Sequence, residues 1–162
     1  MTDAIFTHAL LPDGRRADLA VRAGRFAAIA PAGEGLAGGT SIDLGGRLVL
    51  PGFIDGHIHL DKSMIRDRWQ PHRPYSNGFS VAERVAIEKD MLGQATPVVE
   101  RAAALLETVI AQGTTTLRSH VDIDAISGLA NLEAVLEVRE RYRDRATVEI
   151  VAFPQSGILA SP

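Results

Sequence analysis

Hydrophobic and polar positions along the 162-residue chain change their period near residue 51. Before it, short apolar runs alternate with glycine. Residues 18–22 and 25–29 read as a hairpin turning at Ala23-Gly24, and residues 42–44 and 47–50 read as a second strand–turn–strand over Gly45-Gly46. Residues 31–39 are Gly/Ala-rich and read as a loop. Four short antiparallel strands are therefore expected in residues 1–50. So small a sheet cannot bury both its faces, and it should dock on something larger.

After Pro51-Gly52 helices and strands alternate. Residues 79–92 are mixed but helical in outline, starting near Ser80 with Glu83 three positions on as a capping box. Residues 97–112 predict a clear helix. Pro97 opens it, Val98, Ala102, Leu105, Leu106, Val109 and Ile110 form its stripe, and Gly113 ends it. Residues 114–122 are a β-branched strand, residues 125–143 a helix buried along Leu129, Leu132, Val135, Leu136, Val138 and Tyr142, and residues 147–153 a further strand. This succession is the signature of parallel βαβ units. Three parallel strands leave an unpaired edge, whereas a barrel of this class has eight strands and typically about 250 residues. The N-terminal part of a larger protein is the expectation, with domains at 1–50 and 51–162.

Composition narrows the function classes. Hydrophobic residues make up 46% of the chain and its net charge is −3, with both signs interspersed. Neither nucleic acid nor membrane is an expected partner. The basic residues are arginine apart from Lys62 and Lys89, which reads as compositional bias. Without cysteine there are no disulfides and no thiolate metal sites. No secretory signal or spanning segment is visible, so the cytoplasm is the default location.

Candidate chemistry sits at the C-terminal ends of the expected strands, where α/β barrels bind ligands. In Phe53-Ile54-Asp55-Gly56-His57-Ile58-His59-Leu60-Asp61, alternation puts Phe53, Asp55, His57, His59 and Asp61 on one face and Ile54, Ile58 and Leu60 on the other. His57 and His59 stand about 7 Å apart along the strand, within reach of one divalent cation. They supply only half of a four-ligand site. Arg118, His120 and Asp122 share a face of the second strand, and Gln155 follows the third in phase with Val151 and Phe153.

The Pro-Gly-Phe-Ile-Asp-Gly-His-Ile-His-Leu-Asp segment resembles the metal-binding first strand of the amidohydrolase superfamily. Together, His-Ile-His-Leu-Asp-Lys (57–62), Arg-Ser-His-Val-Asp (118–122) and Ile-Val-Ala-Phe-Pro-Gln-Ser-Gly-Ile-Leu (150–159) are similar to its cytosine deaminase branch. The resemblance implies an α/β fold: the first three βα units of a metal-dependent (β/α)8 barrel, with a small β-sandwich formed by the N-terminal strands. It implies His57 and His59 as ligands of one divalent metal ion, zinc or iron with manganese open, and Gln155 as the amide that reads a pyrimidine-like ring.

The implied activity is hydrolytic deamination of a nucleobase-like or other cyclic amidine by metal-activated water. The third histidine ligand, the proton-shuttling glutamate and the aspartate ligand of the family lie on later strands, so the general acid/base is expected beyond Pro162 and the chain alone is expected to be inactive. Relatives acting on N-alkyl triazines, or as cyclic amidases, share His-Leu-Asp-Lys and stay open, as does a noncatalytic metal- or partner-binding role. Members of the family often assemble, which leaves a homo-oligomer open.

For the other candidates two readings stand side by side. His120 and Asp122 are either substrate or outer-shell groups or hydrogen-bonded strand-end residues, and Gln155 has a bland alternative as a loop amide. Asp61 either orients a ligand imidazole or caps a loop. Lys62 either contacts a polar substrate or, as the plainer reading, pairs with Asp61, and Asp55 is read as structural. Trp69 either walls the pocket or is a plain loop residue. His8 and His72 carry no assignment, and the charges of residues 139–145 read as a solvated face.

Overall fold

The computed structural model describes residues 2–159, so the C-terminal limit expected at 162 lies outside the described residues. Two compact units divide the chain, Met1–Pro51 and Gly52–Pro162.

The first unit is a four-stranded sheet in the order β3-β2-β1-β4, from β1 (Ala4–Leu10), β2 (Arg16–Arg22), β3 (Arg25–Pro31) and β4 (Thr40–Asp43). The hairpin expected around Ala23-Gly24 is β2–β3. Two expectations are corrected. The sheet is not wholly antiparallel, because β4 runs parallel to β1. Residues 47–50 form no strand, and only Leu48 bridges to Leu10. The strand that takes their place, β1, carries a bulge between Phe6 and Ala9. His8 stands there with φ +54°, a conformation that breaks side-chain alternation. The buried Asp18 carboxylate secures the irregularity, accepting from the backbone N–H groups of His8 and Gly33, each at 2.9 Å. Ala9, Ala17 and Leu19 form this unit's core, with Phe6, Leu11, Leu44 and Val49 packed against it.

The second unit holds a parallel sheet in the order β5-β6-β7, from β5 (Phe53–Ile58), β6 (Thr114–Asp122) and β7 (Thr147–Phe153). Helices α1 (Val81–Gly93) and α2 (Val98–Ala111) join β5 to β6, and α3 (Ala130–Arg141) joins β6 to β7. The expected parallel βαβ units are present. Leu60, Leu117, Val121 and Val148 pack with Ala102, Leu106, Val135, Val138 and Tyr142 as one core. Each large apolar side chain fully buried there contributes on the order of 1.5–3 kcal/mol.

Pro97 occupies the N-cap of α2 instead of its first turn. The chain leaves α2 through Gly113 at φ +96°, a backbone conformation that favours glycine. Ser80 caps α1 as expected, accepting from the Glu83 N–H at 3.2 Å, but the Glu83 carboxylate accepts from the Ser76 N–H, so the capping box does not close on itself. Residues 125–129 are not helical. Asp124 Oδ1 accepts from the N–H groups of Ile126 and Ser127, both at 2.9 Å, holding a turn that delays α3 until Ala130. The side of α1 differs from both its neighbours: it has no buried residue, whereas α2 and α3 do. Among the described residues no helix is long and apolar enough to cross a membrane.

Candidate functional site

Strand β5 ends at Ile58, earlier than the alternation through Asp61 suggests. Ile58 and Leu60 do turn to the helices. Ile54 does not and is exposed, for β5 has a hydrogen-bonded neighbour on one side only among the described strands.

His57 lies near the end of β5 and His59 just past it, and their Nε2 atoms stand 3.3 Å apart. Two imidazole nitrogens each about 2.0–2.1 Å from a tetrahedral cation are roughly 3.3–3.4 Å from one another. The pair therefore fits one edge of such a site. From β6, His120 brings its ring to 4.1 Å from that of His57 and 5.8 Å from that of His59. The Phe153 ring meets His59 edge-on at 5.6 Å. Burial, reinforced by the charges of His57, His59 and Arg118, lowers the His120 pKa. Nδ1 of His59 and Nδ1 of His120 are buried without a hydrogen-bond partner. Among the described residues no group of three or more His, Cys, Asp or Glu is placed to hold a metal ion. The donor set is that of half a site.

Behind the imidazoles the strand ends are joined by carboxylates. Asp61 Oδ2 accepts from the Asp122 N–H, while its Oδ1 has no partner. Burial raises the Asp61 pKa, opposed by the Asp122 hydrogen bond and the charges of Lys62 and His59. Asp122 in turn accepts from the Gln155 N–H through Oδ1, at 3.1 Å. Lys62 does not pair with Asp61. Its Nζ lies 2.7 Å from Glu88 Oε1 and 3.5 Å from Asp122 Oδ2, because the turn after Leu60 directs it under α1. Gln155 Nε2 reaches the same Glu88 oxygen at 3.4 Å. The next residue of α1, Lys89, pairs with Asp124 and donates to Ser156 Oγ at 2.9 Å.

A cleft of about 240 Å³ opens beside this network, lined among others by Asp61, Lys62, Glu88, Asp122 and Asp124. His57, His59 and His120 do not line it. Buried Arg101 braces the Asp61–Asp122 link from α2, donating to the carbonyl oxygens of Thr96, Asp61 and Ser63. Trp69 is 83% exposed. It stands over a shallow groove with Met64, Arg68 and Met91, outside the His57–His59–His120 cluster.

The structure thus brings His57, His59 and His120 together and links Asp61, Asp122 and Gln155 behind them. Glu88, Lys89, Asp124 and Arg101 are additions. A helix as mixed as α1 gives no periodic signal for its inward positions, so Glu88 carried no mark beyond being a carboxylate five residues before the helix ends at Gly93.

A sequence profile described as the amidohydrolase family matches residues 40–161. The chain is 34% identical over 124 residues to N-isopropylammelide isopropyl amidohydrolase of Pseudomonas sp. (strain ADP), covering 72% of this chain and 29% of that protein. Among solved structures, N-isopropylammelide isopropylaminohydrolase from Burkholderia multivorans ATCC 17616 superposes with a TM-score of 0.83 at 31% identity, covering 100% of this chain and 40% of that one. The 5-methylcytosine deaminase from Klebsiella pneumoniae, liganded with 5-fluorocytosine, does so with 0.79 at 29%, covering 98% and 38%. The chain therefore spans less than half the length of these proteins and matches the N-terminal part of amidohydrolase barrels. On the match of its sequence and its fold, this chain belongs to the amidohydrolase family.

Proposed function

We propose that the chain supplies the first part of the active site of a metal-dependent hydrolase that displaces ammonia or an alkylamine from a ring carbon of a small cyclic amidine. The 3.3 Å approach of the His57 and His59 Nε2 atoms at the end of a parallel strand carries this reading. His57 and His59 would hold one divalent cation, zinc or iron with manganese open. Such a cation supplies a water acidified towards neutral pH.

The chain's own residues bind and orient. Gln155, tied to Asp122 through its backbone, offers its side-chain amide to the ring. His120, its ring tilted against that of His57 at 4.1 Å, contacts substrate or fixes the ligand imidazole, and Asp122 holds both strand ends. Asp61 accepts from the Asp122 N–H through Oδ2 and makes no hydrogen bond to His59, so orienting that imidazole would require its unpartnered Oδ1 to turn to it. Trp69, exposed on its loop, would form an outer wall for a ring that extends to that loop. The family resemblance puts the carboxylate that passes a proton to the leaving amine on a later strand, so these residues by themselves are expected to turn nothing over.

Within this class the cytosine-like ring is the first reading. A second, removal of alkylamine from an N-alkyl triazine, is favoured by the N-isopropylammelide relatives. Assays of the full-length protein, loaded with zinc, iron or manganese, on cytosine, isocytosine, creatinine and N-isopropylammelide separate the two. Release of ammonia or isopropylamine supports the proposal. Activity confined to ring-opening amides would sink it. Binding of a metal or partner without turnover of any ring would favour a noncatalytic role instead.

A further inference from the structure

Glu88 stands where one carboxylate oxygen faces two donors. Its Oε1 lies 2.7 Å from Lys62 Nζ and 3.4 Å from Gln155 Nε2. The Lys62 side chain is only 11% exposed and also stands 3.5 Å from Asp122, so the ammonium is pinned between two acids. Gln155 is gripped at both ends, its backbone N–H by Asp122 and its amide by Glu88. An ionised carboxylate only accepts hydrogen bonds. The atom that Gln155 turns towards Glu88 must then be its NH2, because a reversed amide would set two acceptors against each other. The carbonyl oxygen Oε1 is thereby turned away from Glu88 as the outward acceptor, and the NH2 keeps one of its two hydrogens.

We propose that Glu88, held in place by Lys62, is a positioning residue that locks the Gln155 amide with its carbonyl oxygen outward, so that the site selects rings presenting an N–H or amino donor at that edge. The inference rests on the reading that Gln155 contacts substrate, and it adds both the determinant of amide orientation and the polarity of the edge being read. A glutamine without such a partner can turn either face to a ring and discriminates poorly. With Glu88 behind it, the amide is held one way round, its acceptor turned outward.

The test uses the full-length, metal-loaded protein with cytosine and 1-methylcytosine, which lacks the ring N–H, and compares kcat/KM and the dissociation constant for the two. The wild type is expected to prefer cytosine. In Glu88→Gln the new amide can donate or accept, so Gln155 is released to turn, and the preference should fall about tenfold, the worth of one hydrogen bond. The loss should appear mainly in KM and in the dissociation constant. The double variant Glu88→Gln/Gln155→Glu restores an NH2 facing a carboxylate with an acceptor outward, and should recover the preference. It carries the same test if the single variant fails to fold. A Glu88→Gln protein that weakens both rings equally, with the preference unchanged, overturns the inference. Gln155→Leu separates the two levels: if it leaves both rings unaffected, or if the wild type binds neither, the substrate-contact reading falls and the inference with it. If Gln155→Leu abolishes the preference and Glu88→Gln does not, only the role of Glu88 falls.

Discussion

The Asp61 carboxylate accepts a hydrogen bond at 3.0 Å from the backbone N–H of Asp122, 61 residues further along the chain. Both residues are buried, so the bond ties the end of one parallel strand to the end of the next where water cannot replace it. Asp61→Ala would leave a buried N–H without an acceptor, at a cost of about 1–3 kcal/mol. Asp61→Asn keeps an acceptor and should lose less. Urea unfolding of the full-length protein measures both, and equal losses in the two variants would show that the bond is not what Asp61 contributes.

If His57 and His59 are the proposed ligands, His57→Ala and His59→Ala should each strip a divalent cation from the full-length protein. The fall in affinity should exceed the roughly 10–100-fold that follows loss of an outer-shell partner. Metal content after gel filtration reads this directly, with the melting temperature of the apo protein as a control. Retention of stoichiometric metal in either variant would remove that histidine from the ligand set.

The first unit has an acid-sensitive joint. Backbone hydrogen bonds from Gly33 and then His8 hold the Asp18 pKa below the ordinary carboxylate value. A depressed folded-state pKa gives stability that is present above the unfolded value, near 3.9, and lost as pH falls through the folded one. The melting temperature should therefore decline below about pH 4, and Asp18→Asn should flatten that decline while lowering stability at pH 7. An acid limb as steep in the variant as in the wild type would assign the sensitivity to other carboxylates.

Leu106 is fully buried against the sheet. Leu106→Ala should cost about 2–5 kcal/mol, whereas Val81→Ala on exposed α1 should stay within about 0.5 kcal/mol. Comparable losses at the two positions would contradict the placement of the core.

What could be seen in the sequence followed from period and motif. Strands β6 and β7 and helix α2 have strong apolar periodicity, and their bounds were legible almost to the residue. His57, His59, His120 and Gln155 were marked by their positions at strand ends. Where side chains compete with the backbone, period misleads. Asp124 captures the N–H groups that would have started α3 early, and the bulge at His8 hides β1 by breaking its alternation. Lys62 was assigned to Asp61, its neighbour in sequence. The fold gives it Glu88, a partner 26 residues away that no local pattern could supply.

Helix α1 buries no residue. It is moored by ion pairs, Lys62 to Glu88, Lys89 to Asp124 and Arg73 to Asp90, whereas α2 and α3 are held by apolar packing. The two kinds of attachment answer a salting-out solute differently. Sulfate strengthens apolar burial, whereas ionic strength screens exposed charge pairs and largely spares buried ones, and of the three pairs only Arg73–Asp90 is exposed on both sides. Added salt is therefore expected to loosen Arg73–Asp90 before it touches the Lys62–Glu88 and Lys89–Asp124 contacts that hold α1 over Gln155 and Ser156.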